Sequence, residues 1–132
     1  MGKTILFTGI ACGLVMFSAV FMDREVSAEI FTVTGYCSCE KCCDKSPDDE
    51  WYGITATGTK ARWGTIAVDR KIIRLGSELR IEGFENIIFK AEDVGGAIKG
   101  KRIDIWFPDH REALRFGKQK RNVWYDENDA DV

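Results

Sequence analysis

Three aspartates stand where carboxylate chemistry would place them. Asp93 and Asp104 bracket the stretch DVGGAIKGKRID, eleven positions apart across a Gly-Gly pair, a lysine and an arginine, and Asp69 follows the apolar run Ile66-Ala67-Val68. A packed domain gains nothing by setting an acid in or directly after such a run, because a buried charge is costly unless it is paired or keeps its proton. Singly, each Asp reads more simply as a turn cap or as half of an ion pair with a nearby Lys or Arg. Together they predict a shared site. An isolated exposed Asp has a pKa of about 3.9, so one that delivers a proton near neutral pH needs burial or a like charge beside it. If Asp69 and Asp93 crowd Asp104, the three titrate as a coupled unit.

Softer candidates surround the acids. Gly95 and Gly96 permit close backbone approach, either to a ligand or to a neighbouring strand. Lys99 and Arg102 are placed to meet carboxylates of an anionic polymer, although exposed bases are more often solvated. Trp106 shares a strand phase with Asp104, so the two should face the same side while Ile103 and Ile105 face the other. Trp51, Tyr52, Trp63 and Trp106 are candidates for stacking on sugar faces or for packing in a core.

Cys37, Cys39, Cys42 and Cys43 lie within seven positions. In an oxidising compartment this even number reads as two disulfides with three possible pairings. A four-thiolate zinc site competes on ligand count. Adjacent Cys42 and Cys43 cannot easily point at one ion, so the expectation is disulfides and no metal or other cofactor. His110, the one histidine, falls at the start of an expected helix and at its exposed end, which leaves no histidine-based metal site and no Ser-His pair.

The elements that must position these residues read as short strands punctuated by glycine: 30–36, 54–57, 65–68, 78–82, 87–92, 102–107 and 122–125. One short helix follows Pro108, with Asp109 and Glu112 as a capping box, an apolar stripe of Ala113, Leu114 and Phe116, and Gly117 as terminator. The fold class is therefore mainly β, a barrel or sandwich with a single C-terminal helix.

The ends differ from the middle. Lys3 precedes an apolar run from Ile5 to Met22, and Val26-Ser27-Ala28 offers small residues for signal cleavage, which predicts an export signal over 1–28. A retained anchor is the rival reading, and it would be the chain's only membrane contact. Residues 29–125 suffice for one small domain, and 126–132 form an acidic tail too polar to bury anything. The formal net charge is -2, and the tail carries more than all of it, leaving a mildly cationic body. With no dense Lys/Arg stripe there is no nucleic-acid footprint.

The ordered segments TVTGYCSCEKCC, GITATGT, GTIAVD, LGSELRIEGF, EDVGGAIKGKRIDIWF and EALRFG together resemble the three-aspartate (3D) domain. This domain occurs in the membrane-bound lytic transglycosylase A group and in exported stationary-phase-survival and resuscitation-type proteins of bacteria. The resemblance implies a six-stranded double-psi β-barrel and cleavage of peptidoglycan glycan strands between N-acetylmuramic acid and N-acetylglucosamine, outside the cytoplasm. It implies that Asp69, Asp93 and Asp104 are the family's three acids and that Asp104 is the proton donor. Arg70, Arg74 and Asp44 depart from the Pro, Pro and Gly that members often carry there. Two other functions stay open on the residues: a wall-binding module that cuts nothing, and acids that hold Ca²⁺, against which the spacing lacks the run of close ligands a calcium loop uses.

Overall fold

A computed structural model describes residues 26–126. Six strands, β1 (Val26–Tyr36), β2 (Thr65–Val68), β3 (Glu78–Ile81), β4 (Phe89–Asp93), β5 (Arg102–Trp106) and β6 (Gln119–Asp126), close into a barrel in the order β1-β5-β2-β4-β3-β6. Parallel pairing of β1 with β5 and of β2 with β4 is combined with antiparallel pairing everywhere else, the arrangement of a double-psi β-barrel. Most of the expected leader and acidic tail lies outside the described residues. Of those segments, Val26, Ser27 and Ala28 begin β1 and pair with Asp126, Tyr125 and Trp124 at the end of β6.

The interior explains why each strand sits in its phase. Phe31, Val33, Ile66, Val68, Leu79, Ile81, Phe89, Ile103, Ile105 and Val123 are all but fully buried in one core. A one-residue slip of β5 would carry Ile103 and Ile105 to the outside at about 1.5–3 kcal/mol each and drive Asp104 inward. The core thus pins the acid to the outer wall. As the alternation requires, Asp104 and Trp106 share that outer side.

Two expectations of local structure are corrected. Residues 54–57 are a turn rather than a strand: Ile54 makes a single bridge to Lys60, and the Thr55 hydroxyl closes the loop by hydrogen bonds with the hydroxyls of Thr57 (3.1 Å) and Thr59 (2.8 Å). A second helix, α1 (Glu40–Cys43), is a single turn in the cysteine segment, where no helix was expected. The expected C-terminal helix is present as α2 (His110–Phe116), where the Asp109 carboxylate accepts from the Arg111 N–H at 2.6 Å. Of its expected apolar stripe, Ala113 is buried and Phe116 packs against the core, but Leu114 is 67% exposed. Gly35 lets α2 lie this close, since a Cβ there would meet the Phe107 ring at 2.8 Å and the Ala113 carbonyl at 3.1 Å.

One buried acid organises the approach to the site. Glu92 is 2% exposed, and its carboxylate accepts two hydrogen bonds from Arg62 (3.1 Å each) and one from the Thr65 hydroxyl (2.9 Å), while its backbone carbonyl accepts from the Thr57 N–H at 3.1 Å. It thereby ties the 55–62 loop to β4. The substitution Glu92→Ala should lower unfolding free energy by about 1–3 kcal/mol, the scale for stripping partners from a buried polar network. Denaturant unfolding measures this, and an unchanged midpoint would show that the network is not stabilising.

Candidate functional site

Strand register assembles the site. Thr34 on β1 is the cross-strand partner of Asp104 on β5, Asp104 is the partner of Ala67 on β2, and Ala67 is the partner of Asp93 on β4. Four adjacent strands thus present one row, Thr34, Asp104, Ala67, Asp93. With strands about 4.8 Å apart, the two acids are roughly 10 Å apart at the backbone and only an alanine side chain stands between them.

Asp93 belongs to this row because of a register shift. Ile66 pairs with Ala91, but the next residue of β2, Ala67, pairs with Asp93, so β4 carries one extra residue at that point. Without the irregularity, strict alternation from buried Phe89 and Ala91 would turn Asp93 into the core. The bulge instead delivers it to the outer wall beside Asp104.

Both acids line one hollow of about 280 Å³, walled by Tyr36, Ser38, Cys43, Ala67, Gly95 and Ile98, among others. Tyr36, Ala67 and Ile98 form a small buried cluster beneath it, against which Trp106 and Cys43 pack. Asp93 Oδ2 accepts from the Tyr36 hydroxyl at 2.8 Å, and Asp93 Oδ1 accepts from the N–H groups of Ala56 (3.1 Å) and Val94 (3.0 Å). Asp104 Oδ1 accepts one hydrogen bond, from the Thr34 hydroxyl at 2.9 Å.

These surroundings shift the groups in one direction. Burial lifts Asp104 above the ordinary carboxylate range, the Thr34 hydrogen bond and the Arg102 charge oppose the shift, and the charge of Asp93 adds to it. Tyr36 is raised far above an ordinary phenol by burial first and then by the charge of Asp93. Cys43 is pushed up to about 11, mainly by burial, so it is a neutral thiol in the wall.

Asp69 does not join the pair. Its Oδ2 accepts from the Gly100 N–H at 2.9 Å and its Oδ1 from the Lys71 N–H at 3.0 Å, and these bonds hold its pKa below the usual range. It lines an adjoining depression with Arg70, Lys71 and Lys99, which meets the acid hollow along Val94, Gly95 and Gly96. Its charge is not among those that shift Asp104, whereas the charge of Asp93 is. What Asp69 does in the fold is fasten the turn that leads into β5.

The other expected site residues divide similarly. Gly95 is packed, since a Cβ there would stand 2.9 Å from Ile98 Cγ1, whereas a Cβ on Gly96 would meet nothing within 4 Å. Lys99 is exposed beside Asp69, and Arg102 is half-buried. Trp106 donates from its indole N–H to Ser38 Oγ at 2.9 Å, which fixes the ring at the rim. Trp63 stands with Phe84, Phe89 and Phe107 in an aromatic cluster and is not part of the acid hollow. Tyr36 and Thr34 went unread in the sequence, because only the pairing of β1 with β5 brings them to the acids. Their alternation in Thr34-Gly35-Tyr36 was the one available signal.

The cysteines contradict the disulfide expectation. Cys37, Cys39, Cys42 and Cys43 are free thiols. Cys37 Sγ lies 2.9 Å from Cys39 Sγ and 3.6 Å from Cys42 Sγ, well beyond a disulfide bond of about 2.05 Å. His110 is also not at a bare helix end: its Nδ1 lies 3.4–3.6 Å from the sulfurs of Cys37, Cys39 and Cys42. A tertiary contact between α2 and the turn after β1 thus brings the imidazole to the cysteines, where the sequence placed it at an exposed helix end.

A closed double-psi barrel with an aspartate pair on its outer wall defines the class. Residues 64–126 match the family model of the 3D domain, and this segment of the chain belongs to that family. The chain is 34% identical over 106 residues to a Bacillus subtilis (strain 168) protein named for cell wall shaping, YabE, and 41% identical over 106 residues to the "Cell wall-binding protein YocH" of the same strain. These alignments cover 77% and 76% of this chain but 24% and 33% of those relatives, so the chain spans only a quarter to a third of their length. Among solved structures, Escherichia coli MltA with bound chitohexaose is similar at 27% identity and a TM-score of 0.47, over 55% of this chain and 27% of that one.

The sign of the Asp104 shift has a consequence for stability. A carboxyl whose folded pKa is raised supports the fold fully below its unfolded value, 3.8, and that support is lost as pH rises through the folded pKa. Asp104→Asn should therefore melt higher than the parent at neutral pH, with the difference closing below pH 3.8. Thermal melts across that range check it. A variant less stable than the parent at neutral pH would mean that the ionised form is the favoured one.

Proposed function

We propose that this chain acts in the bacterial cell wall, outside the cytoplasm, on the glycan strands of peptidoglycan. It cleaves between N-acetylmuramic acid and N-acetylglucosamine with Asp104 as general acid and then base. The observation that carries this reading is Asp104 itself, a mostly buried acid lining the hollow, shifted above the ordinary carboxylate range by burial first, with the neighbouring Asp93 charge adding to the shift. Membership of the 3D family and the cell-wall names of the two Bacillus relatives support the substrate class.

The chemistry needs a single proton carrier. Thr34 occupies Asp104 Oδ1, so the acidic proton resides on Oδ2. That proton passes to the bridging oxygen as the bond to the anomeric carbon breaks and positive charge grows on the muramic ring. The Asp93 carboxylate, held by three donors, faces that charge without moving. The Asp104 carboxylate then takes the proton of the muramic 6-hydroxyl, whose oxygen closes on the anomeric carbon. The product is a 1,6-anhydro ring, and the acid is restored. Asp69 serves as a positioning residue, through the turn before β5.

A wall-binding module that cuts nothing is the second reading, favoured by the name of YocH. The two are separated by digesting purified sacculi with the full chain and analysing the products by mass spectrometry. Cleavage releases anhydro-muropeptides, and Asp104→Asn should reduce the rate by roughly 10² to 10⁴, the usual share of a positioned general acid, while leaving sacculus binding intact. Binding with no new anhydro ends would establish the second reading instead. Equal rates for parent and variant would remove Asp104 from the mechanism.

A further inference from the structure

The geometry points to a structural zinc site built from Cys37, Cys39, Cys42 and His110, at the rim of the barrel and bordering the acid hollow through Cys42 without including either aspartate. The four ligand atoms all lie within 4.8 Å of one another. In a tetrahedral site with Zn–S about 2.3 Å and Zn–N about 2.05 Å, ligand atoms stand about 3.5 Å apart for S to N and about 3.8 Å for S to S. The three sulfur-to-Nδ1 separations are 3.4, 3.4 and 3.6 Å, and Cys37 to Cys42 is 3.6 Å. Four edges of the tetrahedron are already in place. The Cys37–Cys39 edge, at 2.9 Å, has to open by roughly an ångström to admit the ion.

The fourth cysteine tells a metal site from a disulfide pair. Cys43 turns away from the cluster and its thiol donates to the Cys37 carbonyl at 3.2 Å. Two disulfides would need all four sulfurs in two couples, whereas three sulfurs converge here on one imidazole nitrogen. Three soft thiolates and an imidazole suit Zn²⁺ rather than a hard cation, and four protein ligands leave no open position for chemistry.

The backbone prepares this arrangement. The N–H groups of Cys42 and Cys43 both donate to the Cys39 carbonyl at 3.0 Å, coiling the thiols into one turn, and the Cys39 N–H points at Cys37 Sγ. Asp109 caps α2 and so fixes the residue that presents the imidazole. Ligation through Nδ1 requires the tautomer with its proton on Nε2. Binding releases the protons of the three thiols, so uptake falls steeply as pH drops.

The consequence for the barrel is local. Zinc would clamp the turn after β1 to the first residue of α2. Ser38, between two of the ligands, accepts the Trp106 indole hydrogen bond, and Ser38, Cys42 and Cys43 line the acid hollow. The ion would thus stiffen one wall of that hollow without touching either aspartate.

Metal content of the full chain, purified under reducing conditions, tests this directly. About one equivalent of zinc is expected, with X-ray absorption reporting three sulfur and one nitrogen neighbours, and cobalt substitution giving the strong absorption of a tetrahedral thiolate site. Cys39→Ser, Cys42→Ser and His110→Ala should each weaken affinity beyond the roughly 10–100-fold that loss of an outer-shell partner brings, with Cys43→Ser close to the parent. Should these variants misfold, the absorption spectrum of the zinc-loaded parent decides alone. The proposal is overturned if the reduced, folded chain takes up neither metal, or if four sulfurs and no nitrogen surround the ion. Unchanged affinity in a folded His110→Ala variant would overturn it equally.

Discussion

The extra residue in β4 opposite the step from Ile66 to Ala67 is the constraint on which the site rests. The barrel interior demands Phe89 and Ala91 inward on β4 and Ile103 and Ile105 inward on β5. With regular pairing those demands would place Asp104 outside and Asp93 inside. One irregularity reconciles them, and Ala67 becomes the common neighbour of both acids. A larger side chain at that position would stand between the carboxyl groups. The site is thus a by-product of packing, in which hydrophobic phase on three strands decides where two charges meet.

Closure of the hollow depends on loops that the barrel holds by hydrogen bonds. Glu92, next to Asp93, anchors the 55–62 loop through Arg62 and Thr57 and is itself held by the Thr65 hydroxyl of β2. That loop supplies the Ala56 N–H to Asp93. Tyr36 supplies the second donor from β1. Asp93 is therefore satisfied by three donors, while Asp104 accepts from a single hydroxyl and is lifted above the ordinary carboxylate range mainly by burial.

The sequence was legible where local pattern and burial coincide. Strand β2 lies at 65–68 as its short β-branched, apolar run predicts, and the outward pairing of Asp104 with Trp106 follows from Ile103 and Ile105 alone. It was misleading where contacts are long-range. Asp69 looked equivalent to the other acids because an acid after an apolar run reads the same whether it faces a neighbour's charge or, as here, two backbone amides. The turn at 54–57 looked like a strand because Ile54, Thr55 and Thr57 are β-prone, yet hydroxyl bonds within the loop won over a ladder. The cysteine cluster was visible, but its histidine partner lies 68 to 73 positions away, and no spacing rule joins them.

Site-resolved ¹³C NMR titration of the aspartate carboxyl carbons measures the central claim, that the barrel raises the pKa of one acid by burying it beside another. The account requires Asp104 to titrate above the ordinary value of 3.8 and Asp69 below it, with the Asp104 curve moving down when Asp93 is replaced by Asn. An Asp104 that titrates at or below 3.8, unmoved by that replacement, would contradict it.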